Sequence, residues 1–448
     1  MAAIAPFRGF CYNLEEVHDL ARVTIPPYDV ISSDEQRAFH DGNPYNFIRL
    51  ELGLTTPEDS AQNNPHTRAA AWIKQWTQQG ILVRSPQPSI YRYELDYKTE
   101  SEPVKTRRGF ICALRLEDFS SGRVRPHEKT FQAAKDERLG LMVACNANLS
   151  PVFALYPDSG EQVYGALSGE APVAPPVSFT DKTGMAHRFW PVTERLILDR
   201  VRELMGDKPI FIADGHHRYE TALNYRNQLR KRYGGGNANA SYEFIMVYLT
   251  DMNEPGLTIL PTHRLLGNLG DRDCEQVMEK AKDLFHVERF QVQSGDRAVE
   301  WKKAIGAGGL RKEITLGVYC RKAACAYVLT AKKEEVSSLL ARKDIAPALR
   351  TLDVVVLDQV LLREIFGLSE QFLADERNIS FMHDFSGAVE AAMSDRFDAG
   401  FFINQTRIEQ VREVADAGLI MPHKSTYFYP KVTSGLVINP LYPNEEIV

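Results

Sequence analysis

The sequence predicts a mixed α/β protein with more than one domain. Its 448 residues are about three times the length at which single domains are most common. Strand-like apolar runs alternate with helix-like segments along the whole chain, and the clearest unit is a strand, a turn and a helix at 209–233. Hydrophobic residues make up 44% and charged residues 25%, which is ordinary globular usage and excludes a disordered, collagen-like or coiled-coil chain.

The elements follow from local signals in order along the chain. Ser32–Glu35 offers an N-cap with acidic residues in the first turn, so a helix is expected to run from there to about His40. Gly80 ends a helical pattern that begins near Asp59, and period-two alternation then predicts a hairpin of strands at 89–97 and 107–116. Further strands are expected at 151–156, 209–213, 244–250, 257–261, 316–320, 326–329 and 400–403, and further helices at 193–204, 219–233, 273–285, 348–366, 385–396 and 408–417.

Charge and apolar patterning narrow the class of protein. Lysine and arginine number 53 against 59 aspartate and glutamate, a formal net charge of −6, so no overall basic field attracts nucleic acid. One basic stretch, Arg226–Arg232, is expected to be a solvated helix face. No window approaches about 18 consecutive apolar residues and the start has no signal-peptide pattern, so we expect a cytoplasmic protein that does not cross a membrane.

The cysteines carry no metal-binding or disulfide signature. None of the six forms a CxxC pair, so we expect reduced structural thiols. They are Cys11, Cys112, Cys145, Cys274, Cys320 and Cys325.

The strongest candidate site is the sequence DGHHR at 214–218. A buried strand is expected to deliver it to the start of a helix, where His216 and His217 fall and where backbone N–H groups favour an anion. Gly215 permits close backbone approach, and Arg218 can fork onto two phosphate oxygens, so the turn is a candidate phosphate cradle. Asp214 could orient a histidine or hold a metal ion. The alternative is that Asp214 caps the helix and the histidines are merely exposed.

A second cluster of chemically capable side chains lies at 125–138. His127 and Glu128 are candidates for a general base and its orienting partner, and Lys129, Lys135 and Arg138 would compensate phosphate charge. The alternative is a solvated charged loop and helix.

A third cluster lies at 421–431, with the sequence MPHKSTYFYPK. Lys424, Ser425 and Thr426 echo the end of a phosphate-binding P-loop, but the preceding GxxxxG is missing, so a Walker motif is rejected. The three residues stay candidates for phosphate binding, against the alternative of a packed aromatic loop. HExxH, GxSxG and GxGxxG are also absent, which removes the best support for zincin, α/β-hydrolase and Rossmann interpretations.

These motifs resemble a known family. The strand followed by residues 214–218 resembles the phosphate-binding turn of the ParB/sulfiredoxin superfamily. More specifically, a series of motifs spanning nearly the whole chain in one order is similar to the bacterial and archaeal family labelled domain of unknown function 1015. They are PPYDVIS (26–32), RPHEKT (125–130), ANLSPVF (147–153), IADGHHRYETA (212–222), PTHR (261–264) and MPHKSTYFYPKVTSGL (421–436).

The resemblance implies a domain plan. A ParB/sulfiredoxin-like phosphate-binding core would be formed by residues 1–82 and 191–265, with a strand-rich insertion at 83–190. Residues 266–448 would form a C-terminal α/β domain.

The resemblance also implies a function, because free-serine kinases of the superfamily carry a similar Asp-Gly-x-x-Arg turn. It implies phosphoryl transfer between ATP or ADP and free L-serine, or the reverse reaction from O-phosphoserine in serine biosynthesis, with Mg²⁺ expected. Carried over by position, residues 215–218 would hold phosphates and Asp214 would assist. The catalytic glutamate of those kinases maps onto Glu128 in preference to Asp29.

Two alternatives stay open. One is a metal-assisted phosphoserine phosphatase with Asp214, His216 and His217 as ligands. The other is a nucleotide-gated, ParB-like DNA-binding protein, but the net charge and the lack of a helix-turn-helix signal argue against nucleic acid as a partner. The sequence leaves oligomerisation, including a homo-oligomer, open.

Overall fold

A computed structural model describes residues 3–99, 102–128, 130, 132–169, 177–270, 272–292 and 295–447. The described residues form two compact units. Unit 1 combines the described parts of Met1–Pro126, Thr130–Thr258 and Pro430–Val448, and unit 2 combines those of His127–Lys129 and Ile259–Tyr429. Within the described ranges, none of the helices has the length and apolarity needed to span a bilayer.

The helices begin and end at the following residues. They are α1 Leu14–Val17, α2 Ser33–Gly42, α3 Ile48–Glu51, α4 Pro65–Gln78, α5 Gln132–Cys145, α6 Gln162–Ser168, α7 Arg195–Met205, α8 His216–Tyr233, α9 Cys274–Ala281, α10 Gly295–Leu310, α11 Lys333–Arg342, α12 Asp353–Val356 with a π-helical continuation at Leu357–Ile365, α13 Glu370–Ala374, α14 Phe385–Met393 and α15 Ile408–Asp416.

The strands are interspersed with these helices. They are β1 Ile4–Ala5, β2 Phe10–Tyr12, β3 Leu82–Arg84, β4 Ile90–Thr99, β5 Glu102–Arg115, β6 Val124–Arg125, β7 Ala147–Asn148, β8 Val152–Tyr156, β9 Val177–Thr180, β10 Ala186–Val192, β11 Ile210–Asp214, β12 Phe244–Asp251, β13 Thr258–Leu260, β14 His263–Leu266, β15 Phe285–Phe290, β16 Thr315–Cys320, β17 Cys325–Ala331, β18 Ile379–Met382, β19 Ala399–Phe402, β20 Tyr427–Tyr429 and β21 Asn439–Pro440.

Unit 1 is built on a mixed sheet. Its strand order is β6-β11-β8-β12-β5-β4-β10-β9, with β1 also paired to β5. The pairs β6/β11 and β8/β12 are parallel, and β11/β8, β12/β5, β5/β4, β4/β10 and β10/β9 are antiparallel. Every residue of β12 is buried, as its continuous apolar sequence FIMVYLT predicts for a strand covered on both faces. The predicted mixed α/β class is confirmed.

The last residues of the chain belong to unit 1, although the sequence analysis placed them in a C-terminal domain that begins at 266. Asn439 of β21 pairs with Asn148 of β7, and isolated bridges join Ile438 to Phe10 and Ser434 to Ile25. Residues 434–441 are buried and mostly apolar, so their burial among N-terminal residues fixes the segment to this unit.

Unit 2 is built on an antiparallel sheet of order β15-β17-β16-β19-β14-β18. Its core contains a cluster of aromatic rings, in which Trp301 lies 4.8 Å from Phe402 and 5.7 Å from Phe385 between ring centroids. Cys274 and Cys320 form a disulfide in this unit. The prediction that all six cysteines are free thiols was therefore wrong for this pair, because cysteines 46 residues apart on α9 and β16 come together only in the folded chain.

Candidate functional site

The DGHHR turn, residues 214–218, lies in unit 1 where β11 ends and α8 begins. The buried apolar residues of β11 fix the strand in the sheet, and its pairing with β8 shifts register between Ile212 and Asp214. Gly215 then adopts a left-handed backbone with φ 88°, and α8 starts at the next residue and runs for 18 residues. A Cβ at Gly215 would lie 2.8 Å from Nε of Arg218, so both the backbone angle and the space require glycine.

Asp214 is held between two cations. Arg218 Nη2 donates to its Oδ2 atom at 2.7 Å, and Lys431 Nζ donates to its Oδ1 atom. Burial alone would raise the pKa of Asp214, but the charges of Lys431 and Arg218 outweigh burial and hold this pKa well below its usual range. Asp214 is therefore an anion whose two oxygens are already bound by protein cations.

This pairing disfavours the predicted metal role of Asp214. Across the residues that the structure describes, no three His, Cys, Asp or Glu side chains form a group that could hold a metal ion. The ligand set of Asp214, His216 and His217 required by the phosphatase alternative is thus not formed.

Arg218 is held by hydrogen bonds from its guanidinium to other residues of the protein. It is only 8% exposed, its Nη1 atom donates to the carbonyl oxygen of Pro151, and its Nη2 atom donates to Asp214. Each terminal nitrogen therefore already donates one hydrogen bond to the protein, which disfavours the expected fork onto two phosphate oxygens. Its Nε atom is buried without a hydrogen-bond partner. Arg218 positions the turn and contributes its positive charge there.

A second set of charged residues lies near the turn. Lys135 donates to Glu220 Oε2 at 2.8 Å, and Thr130 donates to Oε1 of the same carboxylate at 2.9 Å. Burial lowers the pKa of His217. The carboxylates of Glu220 and Asp29 oppose this effect but do not outweigh it, so the pKa stays below its usual value and the neutral imidazole is favoured. The charges of Asp29 and Lys135 therefore both act on His217, although the three residues come from distant parts of the sequence.

Arg138 has a different role from the predicted one. Its guanidinium is buried, donates to Glu51 Oε1 at 3.1 Å and to Glu137, and lies 4.1 Å from the ring centroid of Tyr28. Because these partners already surround the charge, the prediction that Arg138 compensates phosphate is not supported.

Some predicted site residues belong to unit 2, and these form a packed loop. They are His127 of the second cluster and Lys424, Ser425 and Thr426 of the third. His127 is 1% exposed, its Nε2 atom lies 3.0 Å from Thr426 Oγ1, and its carbonyl oxygen accepts from the backbone N–H of Met421 at 2.8 Å. The Ser425 hydroxyl donates to the carbonyl oxygen of Pro422, and Arg264 donates to that of Lys424 at 3.2 Å.

These bonds favour the packed-loop alternative over phosphate binding by Lys424, Ser425 and Thr426, because both hydroxyls already have protein partners, Pro422 and His127. Lys424 itself adopts a left-handed backbone with φ 57°. Glu128 is described and belongs to unit 2. Lys129 lies outside the described residues.

The basic stretch at Arg226–Arg232 is neutralised rather than fully solvated. Arg226 is buried, donates to the carbonyl oxygen of Leu116 at 2.8 Å and pairs with Asp118. Arg230 pairs with the buried carboxylate of Glu243. The expectation of a solvated helix face was therefore wrong for Arg226, whereas Arg230 is exposed as expected. Both ion pairs reduce the charge available to a polyanion.

Sequence reasoning missed Lys431 as a partner of the turn. It closes the third motif, but 217 residues separate it from Asp214, and no local periodicity links the two. The available signal was its place beside Pro430 in a motif already selected for its charged residues.

The fold and the turn define an α/β protein with a positively charged strand-to-helix turn, and comparisons identify its family. The chain belongs to the family described as protein of unknown function, DUF1015, whose model matches residues 4–355. No curated protein matches the chain.

Solved structures give weak likenesses. A free serine kinase in complex with AMP is 12% identical with a TM-score of 0.32, and the match covers 74% of this chain and 91% of that one. SbnI from Staphylococcus aureus, truncated at its C-terminus, is 9% identical with a TM-score of 0.35, covering 75% and 91%. A conserved hypothetical protein from Pyrococcus furiosus is 13% identical with a TM-score of 0.32, covering 71% and 94%. These values are too low to assign those proteins' activities to this chain.

Proposed function

We propose that this protein is a small-molecule phosphotransferase that moves a phosphoryl group between ATP or ADP and free L-serine, or from O-phosphoserine in reverse. The observation that carries the proposal is the turn at 214–218, which combines a left-handed glycine, the start of a long helix and one carboxylate paired with two cations. The turn therefore keeps a net positive charge beside helical N–H groups, which is the environment that phosphate oxygens favour.

The phosphate would bind mainly through backbone N–H groups and less through a bidentate contact with an arginine side chain. The first N–H groups of any helix have no acceptor inside that helix, and α8 has no side-chain cap at its N-terminus. Asp214 orients Lys431 and Arg218, so their charges stay near the phosphate without either side chain having to rotate. Preorganised charge of this kind stabilises the transferring phosphoryl group.

We propose Asp29 as the base. It belongs to the same unit as the turn, is exposed, and its charge acts on His217. In the forward direction the serine Oγ atom attacks the terminal phosphorus and the bond from phosphorus to the leaving nucleotide oxygen breaks. The hydroxyl proton passes to the carboxylate of Asp29, which gives O-phosphoserine and the shortened nucleotide. Glu128, the residue that the sequence favours, is the competing candidate.

The described residues do not offer a metal-binding group of their own. Mg²⁺ would therefore enter with the nucleotide, held by phosphate oxygens and water, as is common for this ion.

The test is a phosphate-transfer assay with purified protein. L-serine is incubated with ATP or ADP, and O-phosphoserine separately with ADP or AMP, and ³¹P NMR follows both pairs of species. We expect transfer in at least one direction. If phosphate moves in neither, the serine proposal is wrong. Phosphoserine hydrolysis that needs no nucleotide and stops with a chelator would instead support the phosphatase alternative.

A further inference from the structure

A small cavity lined by both apolar and polar side chains lies in unit 1 beside Arg218. It has a volume of about 40 Å³, and its polar lining comprises Glu51, Arg138, Asn148, Ser150, Arg218 and Thr221. A water-sized group needs roughly 10–15 Å³ of such space. The cavity thus has room for about three small polar groups and is too small for a nucleotide.

Three polar atoms of this lining are buried without a hydrogen-bond partner. They are the Oε2 atom of Glu51, the Nδ2 atom of Asn148 and the Nε atom of Arg218. Buried polar atoms are nearly always paired in native proteins, so three such atoms on side chains that line one cavity favour a polar ligand there. One of the three is an anionic acceptor and the other two are donors.

The charges of the lining side chains Glu51, Arg138 and Arg218 balance once their ion-pair partners are counted. Glu51 pairs with Arg138, which also pairs with Glu137. Arg218 pairs with Asp214, which also pairs with Lys431. The three positive and three negative side chains of this network cancel, so a ligand that carries equal positive and negative charge disturbs the network least.

We propose that this cavity binds the zwitterionic head of a small α-amino acid. The ammonium group would donate to Glu51 Oε2, and the carboxylate would accept from Asn148 Nδ2 and Arg218 Nε. The cavity would then place the amino acid against the same arginine that fixes the phosphate-binding turn. This inference rests on the proposed function, which it deepens by assigning the amino-acid subsite.

The first test measures binding of four probes by isothermal titration calorimetry, with and without ADP. L-serine and L-alanine carry the complete head, ethanolamine lacks the carboxylate and 3-hydroxypropionate lacks the ammonium group. We expect saturable binding of both amino acids and at least tenfold weaker binding of the two truncated probes. If L-serine does not bind under either condition, or ethanolamine binds equally well, the proposal is overturned and the cavity holds water.

Variants then assign the partners. Glu51→Gln keeps an oxygen for Arg138 but removes the anion, and we expect at least tenfold weaker L-serine binding with unchanged ADP binding. Glu243→Gln is the matched control, because Glu243 is a similarly buried glutamate paired with an arginine in the same unit. Should Glu51→Gln fail to fold by circular dichroism, Asn148→Asp removes the Nδ2 donor, keeps the acceptor for Met246 N and carries the same expectation.

The two proposals fail differently. If L-serine binds as described but no phosphoryl group moves, the phosphotransferase function is wrong and the subsite stands. If phosphoryl transfer occurs and neither variant changes the KM for serine, the function stands and the subsite is overturned.

Discussion

Replacing Gly215 with alanine tests how the proposed phosphate-binding turn at 214–218 is built. The left-handed backbone at φ 88° costs an L-residue with a Cβ about 1–2 kcal/mol. The new Cβ would also lie 2.8–2.9 Å from the Arg218 guanidinium and displace it from Asp214. Losing one hydrogen bond between charged, buried groups adds about 1.5–3 kcal/mol, so we expect about 2.5–5 kcal/mol of total destabilisation.

Gly184→Ala is the control for the backbone cost alone. Gly184 has a similar φ of 82°, but nothing lies within 4 Å of the position that the new methyl group would take, so only the cost of about 1–2 kcal/mol applies. Urea unfolding measures both free energies, and equilibrium dialysis measures ADP binding. We expect Gly215→Ala to lose at least tenfold in ADP affinity and Gly184→Ala to lose none. Equal stability losses in the two variants, with unchanged ADP affinity, would refute the account of the turn.

Four further predictions follow from the same geometry. Lys431→Met removes one cation from Asp214, so the pKa of Asp214 rises toward its ordinary value. The wild type loses the stabilisation from this carboxylate as pH falls from the unfolded pKa of Asp214 toward its depressed folded pKa, so urea unfolding at a series of acidic pH values should show a smaller acid-dependent loss of stability in the variant; equal losses would contradict the pairing. Asp29→Asn should lower kcat for phosphoryl transfer at least a hundredfold with little change in ADP affinity, whereas a larger loss in Glu128→Gln would transfer the role of base to Glu128. Thiol titration in denaturant should count four free cysteines without reductant and six after reduction; six before reduction would contradict the Cys274–Cys320 bond. Cys274→Ser should destabilise the protein by about 4 kcal/mol, because the disulfide closes a loop of 46 residues and its loss restores the conformational entropy of the unfolded chain. Urea unfolding under non-reducing conditions measures this loss, with Cys112→Ser, which removes a free cysteine, as the control.

Local signals in the sequence correctly predicted several helices and strands of unit 1. Ser32 provides the predicted N-cap of α2 and forms a capping box with Glu35, and Gly80 is left-handed two residues after α4 ends. The hairpin of β4 and β5 also forms as predicted. These features depend on neighbours in sequence, which is why periodicity and capping residues reveal them.

Features set by tertiary contacts were harder to predict. The helix expected at 348–366 is divided, because Leu352 takes an extended conformation between a 3₁₀ turn at Pro347–Thr351 and α12. The strand β15 follows α9 directly, where the sequence suggested that the helix continued to 285. Helix α11 was not predicted.

The candidate site was predicted in its centre and not in its surroundings. Residues 214–218 form the expected strand, turn and helix start, because an apolar strand followed by glycine is a local pattern. Two contacts of the turn could not be predicted from the sequence. Pro151 contacts Arg218, and Lys431 contacts Asp214, only in the folded chain. Placement within the ParB/sulfiredoxin superfamily stays a prediction.

The most direct test of the central claim is a crystal structure of the protein with ADP and O-phosphoserine. We expect phosphate oxygens about 3 Å from the backbone nitrogens of residues 216–218, with the Asp214–Lys431 and Asp214–Arg218 pairs intact. A nucleotide whose phosphates bind away from this turn would contradict the account.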